Sequence, residues 1–118
     1  MNWEPLDHDS LKWLLVDFDF TICKNSGYPD FIPTEPIEGA KEALKKLDAE
    51  GWKITIFTSR HWSDYHNIEN WLIDQDIPFR RIICGKPLGR WMIDDRNLEF
   101  DGNWKRTLRR LKQKERGV

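Results

Sequence analysis

Short apolar runs alternate with longer amphipathic stretches over most of the chain. Each short run is apolar on both faces and is bounded by charged residues, glycine or proline, which is typical of strands buried in a parallel sheet. The pattern predicts four strands, at residues 12–19, 54–57, 81–84 and 90–93. Four tryptophans lie in or beside these elements and are predicted to be core residues: Trp13, Trp52, Trp71 and Trp91.

The stretches between the runs predict three helices, each with one apolar face. The first begins at Pro36, which suits a first helical turn, and ends at Gly51. The second is capped by Ser63 or Asp64. The last covers residues 104–116, where apolar side chains recur at i, i+4 and i+7 among basic ones: Trp104, Leu108 and Leu111.

This alternation of strands and helices predicts an α/β fold. We expect residues 1–118 to form a single three-layer α/β/α, Rossmann-like domain with a central parallel sheet. In sheets of this kind, ligands bind beyond the carboxyl ends of the strands. The search for functional residues therefore begins at those ends.

Composition narrows the class of protein further. Of the 118 residues, 39% are hydrophobic and 33% charged, which is ordinary for a soluble globular domain. No apolar run is long enough for a membrane span, and the acidic N-terminus lacks a secretion signal, so a cytoplasmic protein is expected. Cys23 and Cys84 show no zinc or disulfide spacing, and His61 and His66 are five residues apart, so a zinc site is not expected.

The charge is unevenly distributed. Residues 1–103 hold 12 basic and 19 acidic residues, whereas residues 104–118 hold 7 basic residues and one acid. The basic helix at 104–116 is expected either to bind an anionic partner or to lie on the acidic body of its own domain.

Polar side chains follow each predicted strand at its carboxyl end. Asp17 and Asp19 end the first strand, and Lys86 follows the third. The remaining residues at these ends are Thr58, Ser59 and Arg60 after the second strand, and Asp94 and Asp95 after the fourth. Four carboxylates held together would raise one another's pKa, which a hard cation with oxygen ligands would prevent. The sequence therefore predicts a Mg²⁺ site formed by Asp17, Asp19, Asp94 and Asp95.

The same residues suit phosphoryl transfer. Asp17 is the predicted nucleophile, because a carboxylate can accept a phosphoryl group. Asp19, two residues on, is the predicted general acid and base. The hydroxyls of Thr58 and Ser59 and the amine of Lys86 are the predicted phosphate ligands. A phosphorylated substrate is therefore expected.

The order Asp17-x-Asp19-x-Thr21, then Thr58, Lys86 and Asp94-Asp95 resembles the haloacid dehalogenase superfamily of phosphohydrolases over residues 12–100. The segments at 85–87 and 93–96 are similar to small hydrolases labelled capsule-biosynthesis or polynucleotide phosphatases. The resemblance implies the same roles for these residues, and it implies that the backbone carbonyl of Asp19 binds the metal. Phe20 departs from the family, which usually has glycine at that position.

Relatives in this superfamily often carry a cap domain, but neither gap in this chain is long enough for one. The resemblance thus implies an open site, suited to nucleotides, polynucleotides, sugar phosphates or other large substrates. Tyr28 and Phe31, in the loop 20–35, are candidates for a small flap. Beside the site, the candidate substrate contacts are Arg60, His61 and Trp62.

Two other functions fit parts of the sequence. The chain could be an inactive relative that binds nucleic acid or acts as a regulatory module through its basic helix. A phosphate-accepting receiver domain also uses clustered acids, but its phosphorylated aspartate follows a later strand than Asp17 does. The physiological substrate and the oligomeric state do not follow from the sequence.

Overall fold

The computed structural model describes residues 12–24 and 35–117. The elements along the chain are β1 (Trp13–Asp17), α1 (Ala40–Ala49), β2 (Lys53–Phe57), α2 (Tyr65–Asp74), β3 (Arg81–Ile83) and α3 (Trp104–Glu115). A short 3-10 turn at Trp62–Asp64 leads into α2. The α/β fold with a parallel sheet is confirmed. Tyr28 and Phe31 lie outside the described residues.

The three strands form one parallel sheet in the order β1-β2-β3. Register places Val16, Ile56 and Ile82 side by side, and all three are buried. They share one core with apolar residues of the helices: Ala40, Ala43, Leu44 and Leu47 of α1, Ile68, Trp71 and Leu72 of α2, and Trp104 of α3. The core therefore fixes the sheet against the helices, and the carboxyl ends of all three strands point to one edge.

The first helix begins later than its pattern predicts. Ala40 is its first residue, because Gly39 adopts a left-handed backbone with a φ of 83°. Pro36 instead forms an isolated bridge with Cys23. A β-carbon at Gly39 would lie 3.3 Å from Cβ of Trp104, so this glycine also allows the start of α3 to pack closely.

The last helix lies on its own domain. Asn103 caps it by accepting a hydrogen bond from the N–H of Arg106. Trp104 is buried, and Leu108 and Leu111 pack against the core. The helix therefore packs on its own domain through its apolar face, and most of its basic residues stay exposed.

The predicted strand at 90–93 is wrong. Residues 84–94 have no strand assignment, and Trp91 is 85% exposed instead of lying in the core. A strand is stable only when a neighbour satisfies its backbone, and in the described sheet this segment pairs with none of the three strands. Apolar alternation alone does not supply that partner.

Among the described residues, no helix has both the length and the apolar character needed to cross a bilayer.

Candidate active site

The site is built on a tight turn that follows β1. The N–H groups of Ile22 and Cys23 both donate to the carbonyl of Phe18, at 2.9 and 3.1 Å. Phe18 anchors this turn, because its ring is fully buried and meets Trp71 edge-on at 5.4 Å. The turn therefore holds the residues at 17 and 19 beside the carboxyl edge of the sheet.

Phe20 stands in this turn with a φ of 64°. A side chain with a β-carbon is strained in this left-handed region, at a cost of about 1–2 kcal/mol. Phe20 stands where the superfamily that the sequence resembles usually has glycine, and the backbone there adopts the left-handed conformation that glycine favours. The phenyl ring is 67% exposed at the rim of the site.

A second pair of loops approaches from β2 and β3. The N–H of Thr58 donates to the carbonyl of Ile83, and the N–H of Lys86 donates to the carbonyl of Thr58. The N–H of Gly85 likewise donates to the carbonyl of Arg60. These backbone hydrogen bonds continue the sheet pairing beyond the strands and bring Lys86 to the turn after β1.

Asp17 and Lys86 form the centre of the site. Nζ of Lys86 lies 3.7 Å from Oδ1 of Asp17, and the hydroxyl of Thr21 donates to Oδ2 at 3.5 Å. Burial raises the pKa of Asp17, and the ammonium of Lys86 acts in the opposite direction. The carboxylate is half-buried, so it has a cationic neighbour and remains reachable from solvent.

Asp19 is held by Arg60. Nη2 and Nε of Arg60 donate to Oδ1 and Oδ2 of Asp19 at 2.6 and 2.9 Å, in a two-point contact. Arg60 is only 5% exposed. Its guanidinium thus neutralises Asp19 from within the domain, and the role of Arg60 as a substrate contact stays a prediction.

The other predicted phosphate and substrate contacts differ in how exposed they are and in their hydrogen-bond partners. Thr58 has no exposed surface, and its hydroxyl accepts a hydrogen bond from the N–H of Arg60 at 3.1 Å. Ser59 is half-buried next to it. His61 is used locally, since its Nδ1 accepts from the N–H of Ser63. Trp62 is 53% exposed and stacks on Tyr65 at 6.1 Å. Phosphate binding by Thr58 and Ser59 stays a prediction.

Asp94 and Asp95 do not join the cluster. Both are exposed in the loop that replaces the predicted strand, and Oδ1 of Asp94 accepts from the N–H of Arg96. Among residues 12–24 and 35–117, no three carboxylate, imidazole or thiol side chains are placed to hold a metal ion together. The predicted four-carboxylate set is therefore not assembled, because its second half depended on a strand that does not form.

Charge balance explains why the remaining acids tolerate one another. Asp17 faces Lys86 and Asp19 faces Arg60, so each carboxylate has its own cation. Magnesium binding by Asp17 and Asp19 stays a prediction.

Sequence reasoning missed the pairing of Arg60 with Asp19 and the role of Thr21. Arg60 follows Thr58 and Ser59 at the end of β2, and its proximity to Asp19 could be inferred only from the parallel pairing of β1 with β2. Thr21 had a local clue, because it is four residues from Asp17 across a turn.

Comparison with known proteins gives the fold and no more. No family model and no curated protein matches the chain. A crystal structure of a protein from Vibrio cholerae is similar, with a TM-score of 0.65 and 23% sequence identity. The match covers 86% of this chain and 98% of that chain. The similarity supports the small α/β domain described above.

Proposed function

We propose that the chain is a phosphatase that hydrolyses a phosphate monoester by way of a phosphoryl group on Asp17. The observation that supports this most is the 3.7 Å approach of Lys86 to a half-buried, reachable carboxylate at the end of β1. Carboxylates act as phosphoryl acceptors. A fixed cation at the same place offsets the charge of the phosphoryl group in transfer.

The reaction has two displacements. A carboxylate oxygen of Asp17 bonds to phosphorus while the bond from phosphorus to the leaving oxygen breaks, and that oxygen takes both electrons. Water then attacks the phosphorus of the acyl phosphate, loses a proton to solvent or to a base, and releases inorganic phosphate. The Asp17 carboxylate is regenerated. Lys86 and the hydroxyl of Thr21 orient it for each turnover.

The contact with Arg60 limits what Asp19 can do. Each oxygen of Asp19 accepts an N–H group of Arg60, so the carboxyl is turned toward Arg60 and must reorient to give a proton to a leaving oxygen. A leaving oxygen that is stable as an anion does not need that proton. We therefore expect aryl phosphates to be hydrolysed faster than alkyl phosphates.

The test is Asp17→Asn assayed with p-nitrophenyl phosphate. An amide is not a comparable nucleophile, so turnover is expected to fall at least about 1000-fold, a loss of about 4 kcal/mol of transition-state stabilisation. Full activity in this variant would refute the role of Asp17. Trapping of ³²P on the wild-type chain, and not on the variant, identifies the acceptor directly.

Asp94→Asn is the companion variant, and it distinguishes two arrangements of the site. Loss of activity, together with loss in excess EDTA, would follow from the predicted magnesium site. Retained activity in both would follow from the cation-paired arrangement of Asp17 and Asp19 described above. Magnesium stays a prediction until this comparison is made.

A further inference from the structure

A groove of about 340 Å³ runs between α1 and α3, near the start of β1. Its apolar floor includes Leu47, Trp52, Leu108 and Leu111. Five cations line it, namely Lys12, Lys46, Lys105, Arg109 and Lys112, against two acids, Glu50 and Glu115. The groove is therefore positively charged, although the net charge of the whole chain is −1.

The groove cations differ from the other basic residues of α3 in how they are used. Arg106 pairs with Asp101, and Arg110 donates to the carbonyl of Glu99. By contrast, none of the five groove cations forms an ion pair with a residue in the described parts of the chain. Five cations against two acids leave the groove with an excess of three positive charges, which an external anion would offset.

Helix geometry places three of these charges in a row. Lys105, Arg109 and Lys112 are spaced at i, i+4 and i+7, so they share one face of α3 and span about 10 Å along its axis. A row of cations at regular intervals complements an anion that repeats along a chain. The phosphodiester backbone of a nucleic acid carries such a charge at every residue.

Two features separate this ligand from other anionic partners. The apolar residues of α3 pack against its own domain, so the helix has no free apolar face for insertion into a lipid surface. Trp52, the aromatic residue among the described residues that line the groove, is buried, and the ammonium of Lys12 lies 4.6 Å from its ring centroid, so this ring offers no open face for base stacking in the groove. Binding would therefore be electrostatic and independent of base sequence.

The helix also connects the groove to the candidate active site. Nε1–H of Trp104, the first residue of α3, donates to the carbonyl of Thr21 at 2.9 Å. Thr21 in turn contacts Asp17. From that end the helix extends about 18 Å along the groove, the length of its 12 residues.

We propose that the groove binds the phosphodiester backbone of a polynucleotide, and that the substrate is a polynucleotide with a terminal phosphate. The second half of this inference rests on the proposed phosphatase function, whereas the first half stands by itself.

Binding is tested with a fluorescein-labelled, single-stranded 12-nucleotide DNA that has no terminal phosphate, followed by fluorescence anisotropy with the full chain. The groove variant is Arg109→Gln/Lys112→Gln. Its matched control is Lys114→Gln/Arg116→Gln, which removes one lysine and one arginine charge at the end of α3, from Lys114 and from the C-cap residue Arg116, outside the groove. All four residues are exposed, so both variants should keep the wild-type melting temperature.

The groove variant is expected to bind about 10-fold more weakly at 100 mM salt. Its slope of log affinity against log salt should fall by about 1.4, the value for two phosphate contacts on a single strand. The control should lose less than about 2-fold. Three results would each refute the proposal that the groove binds a phosphodiester backbone. They are equal losses of affinity in the two variants, no binding by the wild-type chain, and binding of polyglutamate as tight as that of the DNA.

Turnover tests the substrate class separately. With the terminally phosphorylated 12-mer, the groove variant should show a KM about 10-fold higher, while both variants keep the wild-type KM for p-nitrophenyl phosphate. An unchanged KM for the 12-mer would overturn the polynucleotide substrate. If the wild-type chain hydrolyses neither p-nitrophenyl phosphate nor the phosphorylated 12-mer, the phosphatase proposal and the polynucleotide substrate both fail. The anisotropy measurement still decides whether the groove binds a polynucleotide.

Discussion

The buried ion pair between Arg60 and Asp19 allows a quantitative test of how the site is held together. A surface pair in the same domain, Lys45 with Asp76, has the same 2.6 Å separation between nitrogen and oxygen. The side chains of the first pair are 4% and 18% exposed, whereas those of the second are 47% and 76% exposed. The two pairs therefore differ in burial, and also in that Arg60 makes a two-point contact whereas Lys45 makes a single one.

Removing one partner of a buried pair leaves the other charge uncompensated, at a cost of about 3–5 kcal/mol. Asp19 keeps some contact with solvent, so we take the lower limit, about 3 kcal/mol, for Arg60→Met. For a domain of this size that corresponds to a fall in melting temperature of about 12 °C. The double variant Arg60→Met/Asp19→Asn should recover much of this loss, because no charge is then left unpaired.

The assay is a pair of double-mutant cycles in urea, one on each ion pair. The control cycle uses Lys45→Met and Asp76→Asn, since asparagine tolerates the left-handed backbone of residue 76. We expect a coupling of about 2–3 kcal/mol between Arg60 and Asp19. The surface pair should show none beyond experimental error. A buried coupling no larger than the surface one would refute the view that Arg60 fixes Asp19.

Three further predictions concern other residues of the site. Phe20→Gly should raise the free energy of unfolding by about 0.5–1 kcal/mol in urea, because it removes strain at a φ of 64°; an equal gain in Phe20→Ala would show that the backbone is not the cause. Burial raises the pKa of Cys23 to about 12 and also raises the pKa of Cys84. Ellman's reagent at pH 8 should therefore label neither thiol in the native chain and both thiols in urea. Rapid labelling of the native chain would show that the thiols are not protected by burial. Burial also raises the pKa of Asp17, so the free energy of unfolding of the wild-type chain should fall as pH rises through that pKa. Asp17→Asn should therefore be more stable than the wild-type chain at pH 7 but not at pH 3. A stability advantage that persists at pH 3 would contradict a raised pKa at Asp17.

The sequence predicts the elements whose evidence is local. Continuous apolar runs correctly indicate β1, β2 and β3 to within one or two residues, and the i, i+4, i+7 repeat correctly indicates α3. The position of Phe20 is also informative, because the superfamily that the sequence resembles usually has glycine there, and the backbone at Phe20 is left-handed. Local chemistry and local conformation agree at these places.

Contacts between distant segments could not be predicted in the same way. Asp19 and Arg60 are 41 residues apart, and their pairing depends on the register of two strands. The segment 90–93 has an apolar pattern that suits a strand, but whether it pairs depends on a neighbour elsewhere in the chain. The prediction that Asp94 and Asp95 bind a metal together with Asp17 depended on that strand, and no group of three such ligands forms among the described residues. Metal binding itself stays a prediction.

The spatial order of the strands is the same as their order in the chain. During synthesis on the ribosome, β2 can therefore dock on β1 as soon as it emerges, and β3 can dock on β2, without waiting for any segment still to be made. The turn carrying Asp17 and Asp19 is complete before Arg60 and Lys86 are translated. Acids of the site thus emerge first and acquire their neutralising partners later, so the nascent domain should become markedly more resistant to protease only once residue 86 and then α3, which completes the core, have left the exit tunnel.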